Sequence, residues 1–562
     1  MERTYKKDDI LKVTIEDISD DGLGIGKADG YALFVKDTVV GDECIVKIMK
    51  AKKNYAFAHL EEVTKPSSFR ISPKCEKAKA CGGCQLQALS YEKQLEFKET
   101  RVKNNLVRIG GFDKEFIDSI SEPIIANDNP FRYRNKAQYP IAWDKKTNAP
   151  IAGFYAGHTH SVIPVKDCLL GPEEFSEIMS IILDFIKSEK IPVYSAEEKR
   201  KGIRHVLLRK GFTTGEIMVC LVLSEESVLK DKDKLISLLK DKNVTSLSVS
   251  INPRDTNVIM GDNYKTIYGK DTITDYIGDL KFNISPLSFF QVNPVQTKKL
   301  YAKALEYASL SGEEAVWDLY CGIGTISLFL AKDAKNVYGV EIIPQAIDDA
   351  RENAQINDIE NAEFFVGKAE EVIDRIWSEQ RDNHDSGSDG YRMTHPDVIV
   401  VDPPRKGCDE LCLSTMLKMQ PDRIVYVSCD SATLARDLKI LCEGGYELKK
   451  ICACDMFSQS VHVETVVLLG DKRVDGHIKI DVDVEKLDNT GGRATYAEIK
   501  DYIKEKYGYS ISSLYIAQMK DKAGLDKREN YNHGLGKDSR VPQCTPEKEE
   551  AIMDAFRHFK MI

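Results

Sequence analysis

Near its start the chain alternates apolar and polar residues in short runs. These are Val13-Thr-Ile15, Tyr31 to Val35, Asp42 to Ile48 and Tyr55 to Leu60. A period of two marks half-buried strands. Asp21-Gly22-Leu-Gly24 and Lys27-Ala-Asp-Gly30 between them are turn signals. Short, evenly spaced strands predict a small β-barrel over residues 1–65, a shape often used to bind RNA. The rhythm then changes. Tyr91 to Val107 reads as a charged amphipathic helix, closing a cysteine-bearing segment at 66–108. Over 109–290, strands at Gln138–Trp143, Val206–Lys210, Glu216–Leu223 and Ser246–Ile251 mix with helices at Phe175–Ser188 and Lys230–Leu239. That mixture predicts an α+β domain.

From 291 to 472 apolar strands alternate with helices. The strands are Ala315–Tyr320, Asn336–Glu341, Ala362–Gly367, Val398–Asp402, Arg423–Ser428 and Thr465–Leu469; Pro344–Asn357 and Ser431–Leu441 are among the helices. This is the pattern of a doubly wound, Rossmann-like α/β domain with a mostly parallel sheet. The polar run Ser378 to Asp389 predicts a surface loop inside it. The remainder, 473–562, predicts a small helical extension with helices near 497–507, 510–522 and 546–559, and no chemistry can be read from it.

A chain of 562 residues is too long for one core, in keeping with this division. No apolar run approaches the roughly 20 residues that span a bilayer, and the N-terminus lacks an apolar signal core. A cytoplasmic protein without a membrane segment is expected, so the 14 cysteines read as thiols, metal ligands or catalytic groups rather than disulfides. The net charge of −10 argues against a polycation throughout, but local patches remain. Lys47 to Lys53 is one; Arg132, Arg134 and Lys136 form another, placed to contact phosphates.

The turn Asp318-Leu-Tyr-Cys-Gly-Ile-Gly-Thr325 follows the first strand of the α/β domain. Gly322 and Gly324 allow close approach of a ligand to the backbone. Glu341 ends the second strand, where a carboxylate accepts hydrogen bonds from ribose hydroxyls. Leu328 stands near the place of the third glycine of a dinucleotide fingerprint, which disfavours NAD and suits S-adenosylmethionine. Gln291 is positioned to offer a side-chain amide, or else to cap a helix. Asp402-Pro-Pro-Arg405 ends the fourth strand with its aspartate toward the pocket. An aromatic residue after the prolines would suit methylation of an amino group, and Arg405 stands there instead.

Cys429 follows the next strand and precedes a helix. Such a position predicts a thiol that ionises more readily than a free cysteine. A thiolate that adds to C6 of uracil makes C5 nucleophilic, and Glu464, just before the last strand, suits removal of the C5 proton. The competing reading of Cys429 is a small buried hydrophobe. Cys321 reads as packing.

Cys75, Cys81 and Cys84, spaced C-x5-C-x2-C, form a third constellation with Cys168 as the plausible fourth ligand. Four thiolates hold zinc or a [4Fe–4S] cluster, and the spacing alone does not choose.

Five ordered motifs together resemble the RNA uracil-C5 methyltransferase family: Phe290-Gln-Val-Asn-Pro294, Asp318 to Thr325, Val401-Asp-Pro-Pro-Arg-Lys-Gly407, Val427 to Asp437 and His462-Val-Glu-Thr-Val466. The resemblance covers roughly residues 10 to 470. It implies Cys429 as nucleophile and Glu464 as base. It implies Gln291, Tyr320, Glu341 and Asp402 as S-adenosylmethionine contacts beside Gly322 and Gly324, and a [4Fe–4S] cluster on Cys75, Cys81, Cys84 and Cys168. The N-terminal barrel resembles an OB-like TRAM domain, typical of the ribosomal RNA branch. The expected substrate is therefore 23S rRNA, with the tRNA T-loop as the alternative, and the expected state is a monomer. A rival of another class is a noncatalytic RNA-binding iron–sulfur sensor. One departure is Asp430-Ser431, where many relatives have Asn-Pro, which puts the local turn geometry in question.

Overall fold

A computed structural model describes residues 5–157, 159–373, 375–376, 396–472, 496–509, 511, 513–523, 546–559 and 561. The expected loop at Ser378–Asp389 lies outside these residues. The chain forms two compact units, Met1–Gly476 and His477–Ile562.

The alternation at the start of the first unit closes on itself. Strands Ile10–Ile18, Gly24–Ala28, Tyr31–Val35, Tyr55–Lys65 and Glu43–Ala51 form a closed barrel in that order. Val13, Ile15, Leu33, Val35, Val46 and Ile48 fill it. The alternate positions face outward. Phe34 pairs across the ladder with Phe57, which pairs on its other side with Lys50.

The central sheet has seven strands in the order Tyr264–Gly269, Val244–Ile251, Ile217–Leu223, Ile203–Lys210, Lys136–Asp144, Ala149–Tyr155 and Val162–Pro164. Helices Glu174–Ser188 and Lys232–Leu239 cover one face, setting Ile182, Phe185 and Leu235 in a core with Val206, Leu208, Val219 and Leu221.

The α/β sheet has eight strands, ordered Ala362–Val366, Asn336–Glu341, Ala315–Asp318, Val398–Val401, Arg423–Ser428, Glu464–Asp471, Tyr446–Cys454 and Ser121–Ile125. The first five are parallel to one another. Two strands lie beyond the sequence-based expectation. Tyr446–Cys454 runs antiparallel to Glu464–Asp471, and Ser121–Ile125 arrives from far upstream to pair with it. Ser121–Ile125 is short, carries a proline and has no fully buried residue, so its pattern gave little strand signal. The strand order reverses between Ala315–Asp318 and Val398–Val401, which opens a crevice at their carboxyl ends. Helix Tyr91–Arg108 packs against helix Ser431–Glu443.

The second unit has helices Tyr496–Tyr507, Ser513–Lys522 and Pro546–His558 around Ile499, Ile503, Ile516, Ile552 and Phe556. No described helix is long and apolar enough to cross a membrane.

Candidate functional site

The carboxyl ends of four parallel strands supply the crevice, and each carries a group with chemistry. After Ala315–Asp318 comes the glycine turn. Asp318 is buried and fastens that turn, accepting from Ser327 Oγ at 2.6 Å and from the Tyr320 amide at 3.4 Å. Burial pushes its carboxyl up to about 6. Gly322 and Gly324 have φ of 54° and 82°, left-handed values that favour glycine. A Cβ on Gly324 would press on Phe364 at 3.1 Å, whereas one on Gly322 would meet nothing within 4 Å. Gly322 therefore leaves its side of the turn open. Cys321 is buried at 4% exposure and packs in the core, as expected.

Glu341 ends its strand and accepts the amide of Ile343 at 3.0 Å. Gln291 does not cap a helix. Asn293 does so, accepting from the Gln296 amide. The Gln291 side-chain amide instead donates to Asp402 Oδ2 at 3.5 Å. Burial, then Asp318, raise the Asp402 carboxyl to about 7, against that hydrogen bond. Tyr320 turns away, and its phenol lies against Cys408 and Cys412.

Cys429 and Glu464 are brought together by register. Ser428 pairs with Thr465 in the antiparallel ladder, so Cys429 leaves one strand where Glu464 begins the other. Glu464 is 3% exposed, and its Oε2 has no hydrogen-bond partner among the described residues. Burial, then Asp402, hold its carboxyl far above the usual range, and only Arg405 opposes them.

The thiol does not behave as its place beside a helix suggests. Burial pushes Cys429 up to about 12, Glu464 and Asp402 add to the rise, and Arg405 opposes it. The helix offers no relief because Asp430 is its cap. The Asp430 carboxylate accepts both the Ala432 and Thr433 amides at 3.0 Å, the donors that would have favoured a thiolate. The same cap answers the question raised by Asp430-Ser431: the turn forms, and Asn105 donates to Ser431 Oγ at 2.8 Å.

Arg405 is the functional residue that the sequence reading used only as negative evidence. It is the one cation opposing the rise of both Cys429 and Glu464, and its guanidinium lies 3.4 Å from His462 Nε2. Burial, then Arg405, bring His462 down to about 4, so its imidazole is neutral near pH 7. Asp318 was also missed. Its signal was present, since a carboxylate ending a strand before a glycine turn has amides to accept.

The expected phosphate contacts are committed elsewhere. Arg132 forms a bidentate pair with Asp167 and donates to the carbonyls of Cys168 and Gly171, bracing the turn that carries Cys168. Arg134 Nε donates to the Lys136 carbonyl. Burial brings Lys136 down to about 7, which disfavours its charge. The alternation buries Tyr133, Asn135 and Ala137 and leaves Arg132, Arg134 and Lys136 half-exposed, with Arg132 held by the distant Asp167 that sequence spacing does not reveal.

Cys75, Cys81, Cys84 and Cys168 are free thiols close enough to act on one another electrostatically. Burial, then the neighbouring thiols, push Cys84 up to about 12, and burial raises Cys81 and Cys168 as well. Gly82 donates to the Tyr155 carbonyl at 3.0 Å, which holds this segment against the central sheet. Among the described residues, no three histidine, cysteine or acidic side chains stand close enough to hold a metal ion.

Residues 90–472 match the family model described as tRNA (Uracil-5-)-methyltransferase, and residues 8–60 match the TRAM domain. An uncharacterized RNA methyltransferase of Clostridium tetani (strain Massachusetts / E88) is 44% identical over 474 residues, covering 83% of this chain and 98% of that protein. One from Bacillus cereus (strain ATCC 10987 / NRS 248) is 45% identical over 466 residues, covering 83% and 97%. Among solved structures, the Pyrococcus abyssi tRNA (uracil-54, C5)-methyltransferase in complex with S-adenosyl-L-homocysteine superposes with a TM-score of 0.64. It is 28% identical, over 82% of this chain and 99% of that one.

The raised thiol gives a direct expectation. At pH 8, iodoacetamide should alkylate Cys429 far more slowly in the folded protein than in the chain unfolded in urea, as measured by peptide mass spectrometry. Glu464→Gln should leave most of the difference in place, because burial is the largest cause of the rise. Equal rates in the folded and unfolded chains would contradict this account of the site.

Proposed function

The chain belongs to the tRNA (uracil-5-)-methyltransferase family, and from that premise we propose that it methylates C5 of a uridine in 23S rRNA, with Cys429 as nucleophile and Glu464 as base. It is an enzyme, an S-adenosylmethionine-dependent RNA methyltransferase, so the noncatalytic sensor is set aside. The observation that carries the mechanism is the ladder placing Cys429 beside a buried Glu464 with one unpartnered oxygen.

The electron flow follows from these two groups. A lone pair of the Cys429 sulfur bonds to C6 of uracil, and the C5=C6 pair moves onto C5 and the C4 carbonyl. S-adenosylmethionine supplies the methyl group as an electrophile to that carbon. The Glu464 carboxylate then takes the C5 proton. The C5–H electrons restore the double bond and expel the sulfur, which leaves Cys429 free. Before this sequence, burial and mutual repulsion favour the protonated forms of Cys429, Glu464 and Asp402. A positively charged sulfonium bound in this crevice would lower all three, as Arg405 already does for Cys429 and Glu464, so that the Cys429 and Glu464 protons pass to solvent before the thiolate attacks. The acid-rich crevice therefore suits a cationic methyl donor. Gly322 and Gly324 would admit it, Glu341 would accept its ribose hydroxyls, and Gln291 with Asp402 would border its reacting end. Tyr320 would contribute through its backbone, since its phenol is engaged below.

The barrel supports an RNA partner. Phe34, Tyr55 and Phe57 form a ring cluster with centroids 5.6 to 5.7 Å apart. Tyr55 and Phe57 are 37% and 39% exposed, and Lys50 lies opposite Phe57. Exposed rings beside lysines suit stacking of unpaired bases next to phosphates. Such a surface suits unpaired RNA of either kind, and the ribosomal reading is drawn from the TRAM domain, which resembles that of the ribosomal RNA branch. The likeness to the Pyrococcus abyssi enzyme favours the second reading, the same reaction on tRNA. Cys75, Cys81, Cys84 and Cys168 would hold a [4Fe–4S] cluster with a structural task, joining residues 75–84 to the turn at Cys168. The electrostatic influence of these thiols on one another, across two segments far apart in the chain, supports it, although they stand too far apart here to ligate one ion.

A 5-fluorouridine RNA tests the chemistry, because fluorine does not leave as a cation. With S-adenosylmethionine it should give a covalent protein–RNA band that survives denaturation and disappears in Cys429→Ala. With ordinary uridine RNA, Glu464→Gln should accumulate the corresponding adduct. A band that persists in Cys429→Ala would reject the mechanism. Mapping 5-methyluridine in 23S rRNA fragments and tRNA transcripts treated in parallel decides the substrate. Methylation of tRNA alone would replace the first reading by the second.

Two further outcomes are expected. Tyr55→Ala with Phe57→Ala should weaken RNA binding in filter assays by about 1–3 kcal/mol per stacked base, with S-adenosylmethionine binding unchanged; full RNA affinity would remove the stacking role. Protein purified without oxygen should contain iron and acid-labile sulfide in equal amounts, lost on Cys84→Ser. Zinc in their place would replace the cluster.

A further inference from the structure

Between Cys454 and Glu464, which face each other across the ladder, run nine residues, 455 to 463. A tight two-residue turn fixes the register of a hairpin by its own geometry; a connection this long does not. Register matters here because a slip of one residue turns every side chain to the other face of the sheet. Glu464 is the first residue of its strand, so its aim depends on where this connection runs.

The connection forms no helix or strand, only local turns such as the one in which the Ser460 amide donates to the Phe457 carbonyl at 3.2 Å, and other parts of the chain hold it. Lys98 Nζ donates to the Phe457 carbonyl at 3.0 Å, and Arg101 Nη1 to the Val461 carbonyl at 2.9 Å; both lie on helix Tyr91–Arg108. The Tyr133 hydroxyl donates to the Ser458 carbonyl at 2.9 Å. The Gln85 and Leu86 amides, just after Cys84, both donate to the Gln459 carbonyl at 3.0 Å. Asn293 Nδ2, two residues beyond Gln291, donates to the Met456 carbonyl at 3.2 Å. The cysteine segment, the long helix, the central domain and the cofactor-side segment therefore converge on the strip of backbone that leads to Glu464.

One side-chain pair anchors the strip. Lys98 and Asp455 form an ion pair with side chains 0% and 1% exposed. Asp455 Oδ2 also accepts from Tyr91 Oη at 2.8 Å and from Ser458 Oγ at 2.6 Å. A buried ion pair is weak evidence for stability, because desolvation offsets its attraction, and its best-attested use is to specify register. Neither residue is among the charges that shift Cys429 or Glu464, and neither is explained by the methyl transfer.

We propose that Lys98 and Asp455 are positioning residues for the proton-removal step. By pinning Asp455–Val461, the pair sets the register that aims Glu464 at C5 of the bound base. Attack by Cys429 and binding of the methyl donor depend on it far less, since neither Lys98 nor Asp455 hydrogen-bonds to Cys429 or the glycine turn. The inference rests on the reading of Glu464 as the base.

Lys98→Met removes the charge and keeps the length of the side chain. Tyr133→Phe removes one hydroxyl donor to the same strip and disturbs the fold less. Both are compared with the wild-type protein and Glu464→Gln on uridine RNA with S-adenosylmethionine. The Lys98→Met variant should turn over ten to a hundred times more slowly (roughly the cost of misplacing a reacting group by 1 Å) and should accumulate methylated covalent protein–RNA adduct. Tyr133→Phe should show the same adduct to a lesser degree. Calorimetric binding of S-adenosylmethionine and the rate of adduct formation with 5-fluorouridine RNA should stay within about twofold of the wild-type protein. Slow turnover without accumulated adduct would overturn the proposal in favour of a purely structural pair. If Lys98→Met does not fold, Tyr133→Phe decides by the same signature. Adduct in Glu464→Gln but none in either variant would overturn the proposal while leaving the base in place. Normal turnover by Glu464→Gln would remove the base assignment itself, and this inference with it.

Discussion

The antiparallel pairing of Ser428 with Thr465 is the constraint on which the site depends. Parallel strands deliver their carboxyl ends to the crevice; an antiparallel neighbour delivers its beginning there instead. Cys429 leaves a parallel strand and Glu464 enters an antiparallel one, so residues 35 positions apart share one edge of the sheet. If the last strand ran parallel, its amino end would lie at the opposite edge, and the carboxylate would be a full strand length from the thiol.

Electrostatics follows from that closeness. Three buried acids and a thiol gather here: Asp318 makes ionisation of Asp402 harder, Asp402 that of Glu464, and both Asp402 and Glu464 that of Cys429. In isolation this arrangement opposes a thiolate nucleophile. On the proposed mechanism it becomes productive when positive charge arrives, and Arg405, which opposes the rise of both Cys429 and Glu464, supplies a part of it. The helix at Ser431 was expected to supply the remainder, but its first amides are spent on Asp430. Charge complementarity is then a property of the loaded site, built for a cationic partner, and not of Cys429 alone.

Much of the architecture was legible because local pattern and tertiary role agree. The strand Arg423–Ser428 falls where its apolar run puts it, and the barrel strands alternate as a closed, one-sided core requires. Legibility failed where a residue's partner is distant. The cluster Arg132 to Lys136 looked like an exposed basic patch until Asp167 and the Cys168 turn claimed Arg132. Ser121–Ile125 looked unlike a strand because it is an edge strand paired more than 320 residues away. Lys98 looked like one more charge on an amphipathic helix, yet it is wholly buried on Asp455.

The sequence by itself determined the chemical inventory: the glycine turn, the strand-end acids, the thiol, the carboxylate and the four-cysteine set. These are carried by residue type and local spacing, which need no knowledge of distant neighbours. Only the tertiary structure decided which groups meet and in what protonation state. Register, burial and the competition for amides and cations are set by segments far apart in the chain. Pairing energies of this kind depend on distance and dielectric, and neither is written in the order of the residues.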